Sequence, residues 1–260
     1  MIHSVSFTNF QGLTTPRPLP LSKFTVLIGL NGSGKTTVLR ALHRVLEGTA
    51  PCLRKIPSGY KTSIEVTGRG TASYFEYEDG KVILSRCGEF RSEEYRSVLV
   101  DDDSVARAAV EWEEDAEVKA QLYRLLRKYA RYRSLSPELR DASLSFLSRG
   151  MRYLLAVHYL GAEAGRRGPL LLDDFGSSMH VALTVLITAN LTRLRQQIVA
   201  STHSIDVLAE LAVDNHDFTV LRLSRDGEKV TAEQLSADDI DRYFEGGIDP
   251  RKVFGDASEG

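Results

Sequence analysis

At 260 residues the chain has room for one large domain or two small ones, and at 42% hydrophobic and 26% charged residues it has the composition of an ordinary soluble globular protein. A formal charge of -2 excludes a strongly basic nucleic-acid binder, so any contact with DNA or RNA must come from a local patch. Cys52 and Cys87 lack metal-ligand spacing, the opening Met1-Ile2-His3-Ser4 lacks the pattern of a signal peptide, and the apolar stretches 154–160 and 181–187 are too short to span a bilayer. The expectation is a cytoplasmic protein with no membrane insertion.

In chain order, Val5 to Phe10 alternates weakly and predicts a first strand, and Pro16, Pro18 and Pro20 mark a connector. Phe24 to Ile28 is a short apolar run that predicts a buried strand. It enters Gly29-Leu30-Asn31-Gly32-Ser33-Gly34-Lys35-Thr36, a complete phosphate-binding loop, and Lys35 to Leu46 then has helical spacing. Ile64, Val66, Tyr74, Phe75, Tyr77, Val82 and Leu84 fall in β-rich runs around a turn at Asp79-Gly80, which predicts an antiparallel flanking sheet. Ser104 to Arg133 predicts one long helix or two, acidic early and basic late. Further on, Leu170 to Leu172 and Ile198 to Ser201 predict core strands, Val181 to Arg195 and Ile205 to Ala212 predict helices, and Phe218 to Leu223 with Lys229 to Ala232 predict a closing hairpin at Asp226-Gly227. The polar stretch from Gly246 onward is expected to fray.

The loop glycines Gly29, Gly32 and Gly34 let backbone N–H groups point at phosphate oxygens, and the following helix N-terminus adds its partial positive charge. Lys35 is placed to reach the β- and γ-phosphates, and the Thr36 hydroxyl to ligate Mg²⁺. The nucleotide cradle is thus Asn31, Gly32, Ser33, Gly34, Lys35, Thr36 and Thr37. Asp173 ends an apolar strand, where a carboxylate can hold Mg²⁺ directly or through water. Asp174 follows where an acidic residue would polarise an attacking water. The stretch from Lys119 to Arg133 interleaves bases with Tyr123, Tyr129 and Tyr132. It suits either a phosphate backbone with rings for stacking or a solvated helix whose charges follow the macrodipole.

Four segments stand in order: the phosphate loop, Leu147-Ser148-Arg149-Gly150-Met151-Arg152, Leu172-Asp173-Asp174, and Ser201-Thr202-His203-Ser204. With the opening Asn9-Phe10-Gln11-Gly12, this pattern resembles the ATP-binding-cassette (ABC) ATPases of the branch containing the structural-maintenance-of-chromosomes (SMC) and RecF proteins. The resemblance covers residues 1–46 and about 140–210. It implies an α/β P-loop NTPase, an ABC-ATPase head with a mixed core sheet, an antiparallel flanking β-sheet and a helical signature lobe. The expected organisation is a nucleotide core from 1–100 and 165–235, a helical lobe from 101–164, and a C-terminal tail from 236–260.

The resemblance further implies ATP and Mg²⁺ as cofactors and a homodimer closed around two ATP molecules. Ser148 and Gly150 would touch the γ-phosphate held by the partner, and His203 would sense it from its own subunit. Asp174, His203 and Lys35 would then be the catalytic set, with Thr36 and Asp173 at the metal. The branch points to DNA maintenance or anti-phage defence, and nucleic acid and an effector protein are further candidate partners. Alternatives are a regulatory module that holds ATP to control a nuclease or toxin, and a transporter ATPase subunit, which the Asn9-Phe10 opening disfavours. The chain departs from the family at four places. Asp174 replaces the usual glutamate and is about 1.5 Å shorter in reach. Gln11 stands where a basic residue is usual, Phe175 replaces a proline, and no glutamine-loop residue is evident. Slow hydrolysis is the expected consequence.

Overall fold

The computed structural model describes residues 1–49, 61–68, 71–78, 81–87, 97–114, 147–163, 168–177, 179–213, 218–227 and 229–251. Eleven strands and six helices run through them: β1 Ile2–Thr8, β2 Leu19–Pro20, β3 Phe24–Ile28, α1 Lys35–Leu46, β4 Thr62–Gly68, β5 Thr71–Glu78, β6 Lys81–Cys87, β7 Val98–Val100, α2 Asp102–Glu114, α3 Arg149–Glu163, β8 Leu170–Leu172, α4 Val181–Thr192, β9 Ile198–Ser201, α5 Ile205–Val213, β10 Phe218–Asp226, β11 Lys229–Leu235 and α6 Ala237–Glu245. The tyrosine-bearing basic segment, the Asp79-Gly80 turn and the chain beyond Arg251 lie outside the described residues.

Two sheets sandwich one helix. The core sheet has six strands in the order β11-β10-β3-β9-β8-β7, parallel except for β11, which pairs antiparallel with β10. The second sheet has five strands in the order β2-β1-β4-β5-β6, all antiparallel. Side chains alternate across a strand, so β3 serves two cores. Leu27 joins Val38, Leu39, Leu42, Val45 and Leu46 of α1 and the inner face of the second sheet (Val5, Phe7, Ile64, Val66, Phe75). Val26 and Ile28 face the other way, against Leu154 and Leu155 of α3, Leu191 of α4, Val207 of α5 and Tyr243 of α6. Parallel strands covered on both faces read as unbroken apolar runs, which is why β3, β8 and β9 were plain in the sequence.

A buried glutamine locks the two sheets together. The Gln197 side chain donates to the Ile2 carbonyl (2.7 Å) and the Ser22 carbonyl (2.8 Å) and accepts from the Ile2 amide (2.7 Å). This anchors β1 from Ile2, three residues earlier than its weak alternation suggests. The proline connector contains the short edge strand β2, where Pro20 costs no ladder bond.

The chain after β11 opens, within the expected C-terminal tail, with helix α6. Ser236 caps α6 by accepting from the Asp239 amide, and the Asp239 side chain accepts from the Ser236 amide in return, a capping box. Beyond α6 the chain does not fray at Gly246. The Ile248 amide donates to the Tyr243 carbonyl (2.8 Å), and Arg251 forms an ion pair with Asp249 and donates to the His203 carbonyl (3.3 Å).

Candidate functional site

Parallel strands all present their carboxyl ends at one edge of a sheet, and loops there form a crevice. In this chain that edge gathers the loop after β3, the Asp173-Asp174 pair after β8, and the Thr202-His203 segment after β9. A cavity of about 520 Å³ opens among them, lined by Asn31, Gly32, Gly34, Lys35, Thr36, Thr37, Arg40, Asp102, Asp173, Asp174, Ser201, His203 and Arg225. Most of the predicted cradle, both carboxylates and the histidine therefore meet in one place.

The loop's shape depends on glycine at two points. Gly29 has φ 140°, and a Cβ there would stand 2.2 Å from the Leu223 carbonyl oxygen. Gly34 has φ 103° and supplies the left-handed residue just before α1. Leu13 of the N-terminal segment and Val230 of β11 each come within 3.6 Å of the point where a Gly34 Cβ would stand. Ser33 differs from its neighbours: it is buried, and its hydroxyl has no hydrogen-bond partner among the described residues.

Lys35 Nζ donates to the Gly29 carbonyl (2.8 Å) and the Leu30 carbonyl (3.0 Å), which holds the ammonium inside the loop. Burial lowers its pKa, opposed by the charges of Asp173 and Asp174. A desolvated cation can pair with a phosphate oxygen, while the two carboxylates facing it suit a metal cation between themselves and that phosphate. The Thr36 hydroxyl donates to Asp173 Oδ1 (3.0 Å), and the Ser201 hydroxyl donates to the same oxygen (2.6 Å). Thr36, Asp173 and Ser201 offer only oxygen ligands, the donor chemistry that Mg²⁺ prefers. The set is small enough to leave most of the coordination shell to phosphate and water, so the residues fit the ion. Among the described residues no cluster of three or more His, Cys, Asp or Glu side chains offers a transition-metal site.

Asp174 adopts φ 54°, a left-handed conformation that aspartate tolerates better than most residues. The Ser201 hydroxyl accepts from its amide (2.9 Å), and the Ser177 hydroxyl donates to its Oδ2 (2.7 Å). The carboxylate is thereby aimed at the cavity from a fixed turn. His203 is held by its carbonyl bond from Arg251. Burial lowers its pKa, and the nearby Lys35 charge lowers it further, so the ring stays neutral at neutral pH.

The signature segment sits apart from this cavity's walls. Ser148 caps α3, accepting from the Met151 amide at 3.3 Å, and it is exposed, while Gly150 is buried. The residue between them reaches the site instead. Arg149 holds both oxygens of Asp102, at 2.8 and 2.6 Å from one nitrogen, and lies 4.0 Å from Asp174 Oδ2. From the same helix, buried Tyr153 donates to the Asp173 carbonyl (2.8 Å) and the Val100 carbonyl (3.3 Å). Burial and then the neighbouring carboxylates push its pKa well up, so it remains a neutral donor.

Sequence reasoning missed Asp102, Arg225 and Arg251. Asp102 could have been found. Val98-Leu99-Val100-Asp101-Asp102 is an apolar run ending in an acidic pair, the same pattern as Leu170 to Asp174, and β7 lies beside β8 in the sheet. Its first acid is used structurally: Asp101 caps α2 through reciprocal bonds with Ser104 (2.8 and 2.9 Å).

Residues 1–121 match the family model described as an AAA ATPase domain. No curated protein matches the chain in sequence. Solved structures do match in fold. An SMC head bound to the C-winged helix domain of ScpA is 13% identical with a TM-score of 0.61, over 93% of this chain and 99% of that one. The SMC head domain from Thermotoga maritima is 15% identical with a TM-score of 0.59, over 90% of this chain and 99% of that one. The recombination mediator protein RecF of the RecFOR pathway is 12% identical with a TM-score of 0.54, over 91% of this chain and 98% of that one. The likeness in fold therefore extends over about nine tenths of the chain.

Proposed function

We propose, from the fold of an ABC-type ATPase head of the SMC and RecF branch, that this chain binds Mg-ATP, pairs with a second copy around it and hydrolyses it slowly. The observation that carries the proposal is the meeting of Lys35, Thr36, Asp173, Asp174 and His203 around one cavity, although they are spread over most of the chain. In this reading the loop amides and Lys35 hold the β- and γ-phosphates, and Thr36 and Asp173 hold Mg²⁺, which would neutralise charge on the phosphate oxygens. Asp174 orients the water, and neutral His203 donates a hydrogen bond to the γ-phosphate.

Pairing is supported by what surrounds the cavity. Leu30 lies in the loop after β3, Val181 begins α4 and Ile205 begins α5, all at the edge where the loops gather, and they are 56%, 52% and 43% exposed. Apolar side chains displayed around a polar pocket suit a covering partner. Ser148, exposed at the start of α3, can face such a partner's phosphate, as a helix N-terminus suits an anion.

The shortened carboxylate also favours a second reading, in which bound ATP acts as a signal to an effector such as a nuclease or toxin rather than as fuel. DNA maintenance and anti-phage defence both fit a head of this branch, and DNA-stimulated turnover would favour a DNA-directed role over effector control. The direct test of pairing is molecular mass in solution with and without Mg-ATP, using Asp174→Asn to hold the bound state. A shift from monomer to dimer on adding nucleotide is expected; a monomer under both conditions overturns the sandwich.

A further inference from the structure

The structure assigns Arg225 to the nucleoside end of the bound nucleotide, as a cation that contacts the α-phosphate. This rests on the proposed triphosphate site and adds a residue that none of the motifs contains. The argument is one of direction. In the core sheet β9 and β8 lie on one side of β3, and β10 lies on the other. The groups suited to Mg²⁺ and the γ-phosphate, namely Asp173, Asp174, Ser201 and His203, all follow β8 or β9. A linear triphosphate whose terminal phosphate lies among them must leave the loop on the β10 side.

Strand β10 is paired with β3 only as far as Arg222, opposite Ile28. It continues to Asp226, so its last residues run alongside the phosphate loop. There Arg225 lines the cavity, and one guanidinium nitrogen comes within 4.0 Å of the point where a Gly34 Cβ would stand. Gly34 is the last loop residue before α1, so the arginine stands over the loop's exit. It is exposed, and among the described residues it has no hydrogen-bond or ion-pair partner. An unpaired guanidinium beside a phosphate cradle has its fork of donors available for an oxyanion.

The test is equilibrium binding of Mg-ATP and of Mg-ADP to the full chain and to Arg225→Ala, Arg225→Lys, Arg225→Glu and His203→Ala. An α-phosphate contact is common to both nucleotides. Arg225→Ala should therefore weaken ATP and ADP by the same factor, about tenfold for one charge-assisted contact, with Arg225→Glu weaker still and Arg225→Lys intermediate. His203→Ala should weaken ATP alone. The assignment is overturned if Arg225→Ala leaves ADP binding unchanged, or if reversing its charge is no worse than removing it. Failure of the underlying reading looks different: the wild-type chain then binds neither nucleotide.

Discussion

In the proposed reaction, the residue on which turnover would depend most finely is Asp174. Its backbone is fixed in a left-handed turn, with Ser201 on its amide and Ser177 on its carboxylate. The side chain therefore cannot make up its missing carbon by drifting toward the cavity. Restoring that carbon in Asp174→Glu should raise the single-turnover rate of ATP hydrolysis by about tenfold or more, since water positioning commonly carries factors of that size. A rate no faster than wild type would show that reach does not limit the reaction. Lys35, Thr36 and Asp173 were singled out from their motifs, at a helix start and a strand end that the apolar pattern also marks, whereas His203 came from the family resemblance, and all four line the one cavity. Arg225 and Arg251 were not singled out. Their place near the cavity depends on how separate segments dock, and a lone arginine in a polar stretch leaves no periodic trace.

Among the elements, the same contrast recurs. Strands β3, β8 and β9 and helix α1 were readable because burial on both faces writes continuous or strongly one-sided apolar patterns. Helix α6 was hidden because its sequence, Ala237 to Glu245, is rich in acids and its buried contacts are few, chiefly Ile240 and Tyr243. What identifies it is Ser236 with Asp239, a capping pair three residues apart. The helix matters to the site at second hand. Tyr243 packs under the buried Arg222 of β10, which also pairs with Glu233 of β11, and the chain after α6 carries Arg251 to the His203 carbonyl. Replacing the cap with Ser236→Ala should destabilise the protein by about 1 kcal/mol in a denaturant titration. If the stability is unchanged, the capping box does not hold this helix in solution.

For the molecule as a whole, the architecture explains why distant segments cooperate. Packing α1 between two sheets fixes the glycine loop at its N-terminus, and the parallel strands bring the loops after β3, β8 and β9 to one edge. Helix α3 couples the signature segment to that edge twice, through Tyr153 to the Asp173 carbonyl and through Arg149 to Asp102. A partner engaging Ser148 would thus act on a helix already bonded to the strand end that carries Asp173, the proposed metal ligand, a short physical route between pairing and chemistry.

All of this rests on the cavity being a Mg-triphosphate site. The most direct measurement is calorimetric titration of Mg-ATP into the wild-type chain and into Lys35→Ala. Saturable binding by the wild type, weakened by about a hundredfold or more when the buried ammonium is removed, is the predicted result. No binding, or equal affinity in the two proteins, would contradict the account.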